Sequence, residues 1–243
     1  MDIKPLETER YTRQMIISGW GVEGQKRLKN STVFVAGAGG LGSPAAIYLA
    51  AAGVGTIRIC DNGEPELSNL NRQILHSEAD IGINKALSAK DSINNVNPNV
   101  LVVPLTEMIK EDTVENLVGE ADIIVDCLDN FETRHVLNEF AVKKSMPFVH
   151  AGIHGLSGQL TFIHSPETPC LSCVFPGVVP KEVFPVVGVT PGIIGTIEAA
   201  EAIKWIVGIG ENLKNKLLIW DGDTMDFQKV EIKKDPDCRI CGK

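Results

Sequence analysis

The stretch VFVAGAGGLGSP, residues 33–44, sets an apolar run directly before Gly37, Gly39 and Gly42 in the spacing G-x-G-x-x-G. A strand ending in such a loop and opening a small-residue helix predicts the first β–α unit of a nucleotide-binding α/β fold. Glycines let backbone N–H groups approach phosphate oxygens, and the helix N-terminus adds positive potential. Asp61 lies 19 positions beyond Gly42, at the end of the next apolar run, TIRICD. A carboxylate there can accept hydrogen bonds from ribose hydroxyls. Neither feature separates NAD from ATP.

Strands and helices alternate around this loop. Residues 7–29 read as a helix broken near Gly19 and Gly21, TVFVAG as a strand, and LGSPAAIYLAAAG as a helix whose alanines permit close packing on a sheet. After TIRICD come about 25 residues with little periodicity, 62–86, and long aperiodic segments inside compact domains are usually functional. A helix over 85–95, a strand VLVVPL, a short helix over 112–118, a strand ADIIVDCLD, a helix over 131–144 and a strand PFVHAGI follow. The alternation predicts a Rossmann-like parallel α/β sheet with helices on both faces. After Gly155 the strands GQLTFIHS, NKLLIWDG and FQKVEIK are interrupted by one helix, over 191–207. The expected architecture is one domain, 1–243, with an antiparallel extension over 155–243. Trp205 and Trp220 are expected in its core.

Composition narrows the function classes. The chain has 243 residues, 44% hydrophobic and 22% charged, which is ordinary for a soluble globular protein with a sizeable core. No apolar run approaches the roughly 18 residues of a membrane span, and the N-terminal MDIKPLETERYTRQ is not a secretory signal. A cytoplasmic protein with no membrane partner is expected. The net charge of -8 argues against nucleic acid as the main partner.

The long segment speaks to the nucleotide. SNLNRQ places Ser68, Asn69, Leu70, Asn71, Arg72 and Gln73 together after the ribose carboxylate, and Lys85 stands at the start of a helix. Hydride transfer needs no pair of cations there. A triphosphate does, because a pyrophosphate leaving group accumulates negative charge that Arg and Lys stabilise. In DIIVDCLDN, Asp126, Asp129 and Asn130 fall at the carboxyl edge of a parallel strand, where open α/β sheets place their sites. Asp129 is the candidate for Mg²⁺, a hard ion that prefers oxygen ligands, whereas Asp126 suits a backbone or cap role. The five histidines show no metal-binding spacing, and His150 and His154 flank a strand end.

Cys170-x-x-Cys173 and Cys238-x-x-Cys241 are the most specific signal. Two such pairs supply four thiolates to a tetrahedral structural Zn²⁺, with no open position for catalysis. Cys60 and Cys127 sit alone in apolar strands.

Taken in order, Y-T-R-Q, G-A-G-G-L-G, the strand-end Asp, S-N-L-N-R-Q, the lone Lys, D-C-L-D-N, the paired C-x-x-C and GIIGTIEAAEAIK resemble the ubiquitin-activating enzyme-like family. Within it they resemble the MoeB/ThiF/HesA-type adenylyltransferases, over nearly the whole chain. The resemblance implies ATP-dependent adenylation of the C-terminal Gly-Gly carboxylate of a small β-grasp sulfur-carrier protein, in molybdopterin, thiamine or related sulfur transfer. It implies that Gly40 and its neighbours cradle the nucleotide, that Asp61 holds the ribose, and that residues 68–72 and Lys85 line the phosphates. Asp129 would hold Mg²⁺, beside Asn130. It further implies a homodimer built on the helices of residues 1–30, with Arg13 reaching into the neighbouring site, and a sulfur donor such as a sulfurtransferase or cysteine desulfurase. One departure stands out: where many relatives carry a cysteine, this chain has Phe184. The reaction is therefore expected to stop at the acyl-adenylate without a covalent cysteine intermediate. An NAD-dependent oxidoreductase and a non-catalytic scaffold of the same fold remain the alternatives.

Overall fold

The computed structural model describes residues 2–177 and 185–242. Phe184 lies outside them. Two helices, α1 (Pro5–Met15) and α2 (Gly21–Asn30), precede the sheet. The break between them falls at Gly19 and Gly21, both in the left-handed region (φ +83° and +57°). Glu7 ties the two helices together: its Oε2 accepts from Lys4 N (2.8 Å) and from Lys29 Nζ (2.5 Å).

The core is a β–α alternation: β1 (Thr32–Ala36), α3 (Gly42–Ala52), β2 (Thr56–Cys60), α4 (Lys85–Val96), β3 (Leu101–Leu105), α5 (Val114–Val118), β4 (Ile123–Asp126), α6 (Phe131–Lys144) and β5 (Phe148–His154). β6 (Ser157–Ile163), α7 (Leu171–Val174), α8 (Val189–Val207), β7 (Lys216–Asp221) and β8 (Asp226–Glu231) complete it. One eight-stranded sheet runs β3-β2-β1-β4-β5-β6-β7-β8. The first five strands pair in parallel and the last three join antiparallel, as the sequence implied. The order reverses between β1 and β4, which opens a crevice at their carboxyl ends.

The parallel strands are apolar on both faces because helices cover both. Val33 and Val35 of β1 pack with Ile57, Ile59 and Val125 under α3, α4 and α8. Phe34 and Ala36 pack with Ile124, Leu137 and Phe148 under α5 and α6. α3 meets α8 at backbone distance: a Cβ on Gly195 would lie 2.4 Å from the Leu41 carbonyl oxygen and 2.8 Å from Pro44 Cγ. The small residues of α3 permit this approach. β8, by contrast, is exposed along its whole length.

Three features differ from the sequence expectation. The short helix α7 carries no periodic signal. The aperiodic segment after β2 contains two 3₁₀ turns, Leu67–Asn69 and Glu78–Asp80. Trp220 is core, but Trp205 is half-buried, edge-on to His164 with Lys214 Nζ 4.9 Å from its ring centroid. Among the described residues no helix is long and apolar enough to cross a membrane.

Candidate functional site

The turn after β1 is shaped by contact before any ligand is considered. Gly37 has φ +98°, and its N–H donates to the Cys60 carbonyl at 2.8 Å. A Cβ on Gly37 would stand 2.7 Å from the Cys127 carbonyl oxygen, and one on Gly42 only 2.0 Å from that of Gly37. The loops after β1 and β4 therefore touch across the switch point.

Asp61 joins the loops after β1 and β2. Its Oδ2 accepts the Ala38 N–H (2.9 Å) and its Oδ1 the Gly63 N–H (2.8 Å). An ionised carboxylate has about four acceptor positions, so capacity remains for hydroxyl groups. Asn84 fixes the next element. Its Nδ2 donates to the Asp61 and Gly63 carbonyls (3.0 and 3.2 Å) while its Oδ1 caps α4 by accepting Ala86 N–H (2.9 Å). Lys85, the next residue, is thereby held beside the Asp61 turn. Its Nζ lies 3.9 Å from where a Cβ of Gly63 would be.

Arg72 closes the loop from the other side. The Leu67–Asn69 turn presents the Asn69 carbonyl to the N–H groups of Arg72 (3.1 Å) and Gln73 (3.0 Å). Arg72 Nη1 donates to the Ser68 carbonyl (3.0 Å) and Asn71 Oδ1 (2.9 Å). Its Cγ is 3.6 Å, and Pro191 Cβ 3.3 Å, from the Cβ position of Gly40, while Gln73 Nε2 is 3.6 Å from that of Gly39. Leu70 is half-buried between them. His76 is buried below: its Nε2 donates to the Ala38 carbonyl (2.8 Å), so its Nδ1 accepts from Ser88 Oγ (2.8 Å). Burial lowers its pKa from the ordinary value, keeping the ring neutral at pH 7.

Asp129 and Asn130 stand across the crevice. Asn130 Oδ1 caps α6 by accepting Thr133 N–H (2.9 Å), and its Nδ2 donates to Asp129 Oδ1 (3.4 Å). Asp129 is exposed. Asp126 points into the protein instead and is fully buried. Its Oδ2 accepts from His150 Nδ1 at 2.6 Å, Arg134 Nε lies 3.4 Å from the same oxygen, and Oδ1 accepts Leu128 N–H at 3.2 Å. Burial keeps His150 below its usual pKa, so the imidazole donates as a neutral ring. Arg134 Nη2 donates to the Leu128 carbonyl and to the Ala151 carbonyl (2.7 Å). Cys127 and Cys60 are both buried, and burial pushes their thiols up, that of Cys60 to about 12.

The four paired cysteines converge. Their sulfurs all lie within 4.8 Å of one another, with Cys170–Cys173, Cys170–Cys238 and Cys173–Cys241 at 3.9, 3.7 and 3.4 Å. Four sulfurs about 2.3 Å from a tetrahedral ion would be roughly 3.8 Å apart, whereas a disulfide needs about 2.05 Å. The donor set fits a thiolate-bound metal ion.

The structure thus gathers Gly37, Gly39, Gly40, Gly42, Asp61, Arg72, Gln73 and Lys85 into one neighbourhood, with Asp129 and Asn130 on the facing loop. Arg13 is exposed on α1, and no hydrogen bond or ion pair links it to these residues. His154 lies exposed at the end of β5. Sequence reasoning missed His76, Asn84 and Arg134. Asn84 was findable as an N-cap before Lys85, and Arg134 as one helical turn beyond Asn130. His76 gave no signal.

A model of the ThiF family matches residues 11–240. The SAMP-activating enzyme E1 of Haloferax volcanii is 40% identical over 249 residues, covering all of this chain and 92% of that protein. The adenylyltransferase and sulfurtransferase MOCS3-1 of Zea mays is 40% identical over 96% of this chain, which spans 52% of that longer protein. Among solved structures, E. coli MccB with MccA-N7isoASN superposes with a TM-score of 0.88 at 27% identity, covering 97% of this chain and 75% of MccB. MccB has also been solved with ATP, with a TM-score of 0.85 to this chain, again at 27% identity, and coverage of 96% and 74%. The chain belongs to the ThiF family of E1-like adenylyltransferases.

Proposed function

We propose that the protein uses ATP and Mg²⁺ to adenylate the C-terminal Gly-Gly carboxylate of a small β-grasp sulfur-carrier protein. One observation supports this reading: Arg72 packs against Gly40 of the glycine loop and Lys85 lies near Gly63, next to the Asp61 turn. A carboxylate oxygen of the carrier attacks the α-phosphate, the bond to the β-phosphate oxygen breaks, and acyl-adenylate and pyrophosphate result. The protein contributes positioning and charge stabilisation. Backbone N–H groups of residues 37–42 face the phosphates, Asp61 receives the ribose, and Arg72 and Lys85 offset the charge growing on pyrophosphate. Asp129 is the oxygen donor for Mg²⁺, which when bound shields the phosphate charge.

The sulfur then comes from a separate donor, a sulfurtransferase or cysteine desulfurase, in molybdopterin, thiamine or related synthesis in the cytoplasm. Phe184 at the usual cysteine position motivates the absence of an enzyme thioester. Cys60 and Cys127, with raised thiol pKa values, are poor replacements. The four-cysteine cluster holds structural Zn²⁺. The unit is a homodimer through the helices of residues 1–30, with Arg13 of one subunit reaching the other's site.

The test is ATP–pyrophosphate exchange with a panel of β-grasp proteins ending in Gly-Gly. Carrier-dependent exchange is expected, reduced about 100-fold or more in Arg72→Ala and Asp129→Ala. Folded protein that exchanges with no carrier, or binds NAD in preference to ATP, overturns the reading.

A further inference from the structure

Arg134 does more than brace Asp126. Its side chain is 5% exposed, and it rises from α6 to the end of β5. Nη2 bridges the Leu128 carbonyl, next to Asp129, and the Ala151 carbonyl, next to Gly152. Nη1 is left over. It lies 3.7 Å from the position a Cβ on Gly152 would take. Gln159, directly opposite Gly152 in the β5–β6 register, brings its Nε2 to 3.3 Å from the same point. Among the described residues neither nitrogen has an acceptor.

Two hydrogen-bond donors thus converge over a glycine, beside the loop that carries Asp129. Any side chain at residue 152 would fill the spot they share. Nη1 is held in place with no acceptor of the protein's own, and the neighbouring Arg134 Nε is buried without a hydrogen bond, so the spot is suited to an acceptor brought from outside. A carbonyl oxygen fits, since both nitrogens only donate and the Arg134 charge already faces the Asp126 carboxylate.

We propose that Arg134 Nη1 and Gln159 Nε2 form a donor pair that receives a peptide carbonyl oxygen of the acyl substrate's C-terminal tail, over Gly152. The inference rests on the adenylation reading above. The pair sets the tail's register, so that its terminal carboxylate reaches the α-phosphate beside Asp129. Gln159 and Gly152 are specificity residues for the tail, not for ATP.

The test measures exchange kinetics with whichever Gly-Gly carrier supports wild-type exchange, varying carrier and ATP separately. Gln159→Leu removes one donor whose amide makes no internal hydrogen bond, so the fold is retained. Gly152→Ala places a methyl group in the shared spot. Each is expected to raise KM for the carrier roughly 3- to 10-fold, with KM for ATP and the melting temperature unchanged. Arg134→Lys, which keeps the charge but loses the fork, lowers kcat as well, because the Leu128 carbonyl is released. Native-like melting with an unchanged carrier KM in both Gln159→Leu and Gly152→Ala overturns the proposal while leaving adenylation intact. A parallel rise in KM for ATP overturns it too, by showing a displaced loop. Wild-type protein that exchanges with no carrier sinks both.

Discussion

Glu198 is the residue whose protonation most directly reports the state of the site's floor. It lies fully buried in α8, with Oε2 3.6 Å from Cys127 Sγ and Oε1 without a partner among the described residues. Burial first, and the nearby Asp126 carboxylate second, push its pKa well above the ordinary 4.5. The native protein keeps this proton where the unfolded chain has released it. From 4.5 up to the raised native value, stability from Glu198 is lost as pH rises. His76 and His150 act with the opposite sign. Burial lowers both from 6.5, so the unfolded chain takes protons first and stability falls as pH drops below 6.5. The variant Glu198→Gln keeps the shape of the protonated acid. It is expected to flatten the fall in melting temperature as pH rises from 4.5. A steeper fall in thermal melts over a pH series would contradict this. None of it was legible in the sequence. GTIEAAEAIK shows two acids on an apolar helix, but only the tertiary packing, of Glu198 against Cys127 and of Glu201 against Asn212 and Leu213, makes both buried.

At the scale of elements, the α3–α8 contact sets the glycine loop. Gly195 lets the Leu41 carbonyl come within 2.4 Å of where a methyl group would be. Gly195→Ala must separate the helices or shift residue 41. A loss of about 1–3 kcal/mol is expected from overpacking, with a raised KM for ATP because residues 37–42 move too. Urea denaturation and ATP titration check the pair of effects; full stability with unchanged ATP affinity would remove the link. The elements themselves were largely legible. α6 runs from Phe131 to Lys144 as expected, because Asn130 is a strong N-cap and Ser145 ends the helix in the left-handed region. The strands of the parallel half announced themselves as continuous apolar runs. Residues 62–84 did not, because their order comes from single polar contacts to distant loops, such as Asn84 to the Asp61 carbonyl and His76 to Ala38. Spacing carries no trace of such contacts. The candidate site was legible as residue types, Asp61, Arg72, Lys85 and Asp129, whereas the proposed donor pair over Gly152 needed the β5–β6 register.

For the whole molecule, the cysteine cluster links α7 to the C-terminal stretch after β8, joining residues 68 positions apart in sequence. Metal analysis is expected to give one zinc per chain. Its removal by a chelator is expected to lower the melting temperature by about 4–8 °C, the shift for a loss of about 2 kcal/mol, without altering the KM for ATP. Recovery of disulfides and no metal would reverse the assignment.

The sheet itself has two open sides. β3 carries Pro104, which offers no N–H to a neighbouring chain, and β8 carries Asp226, Lys229 and Glu231 on a strand exposed throughout. Both are the devices by which sheets avoid stacking into fibrils. In a crowded solution both edges of this sheet therefore discourage growth strand upon strand.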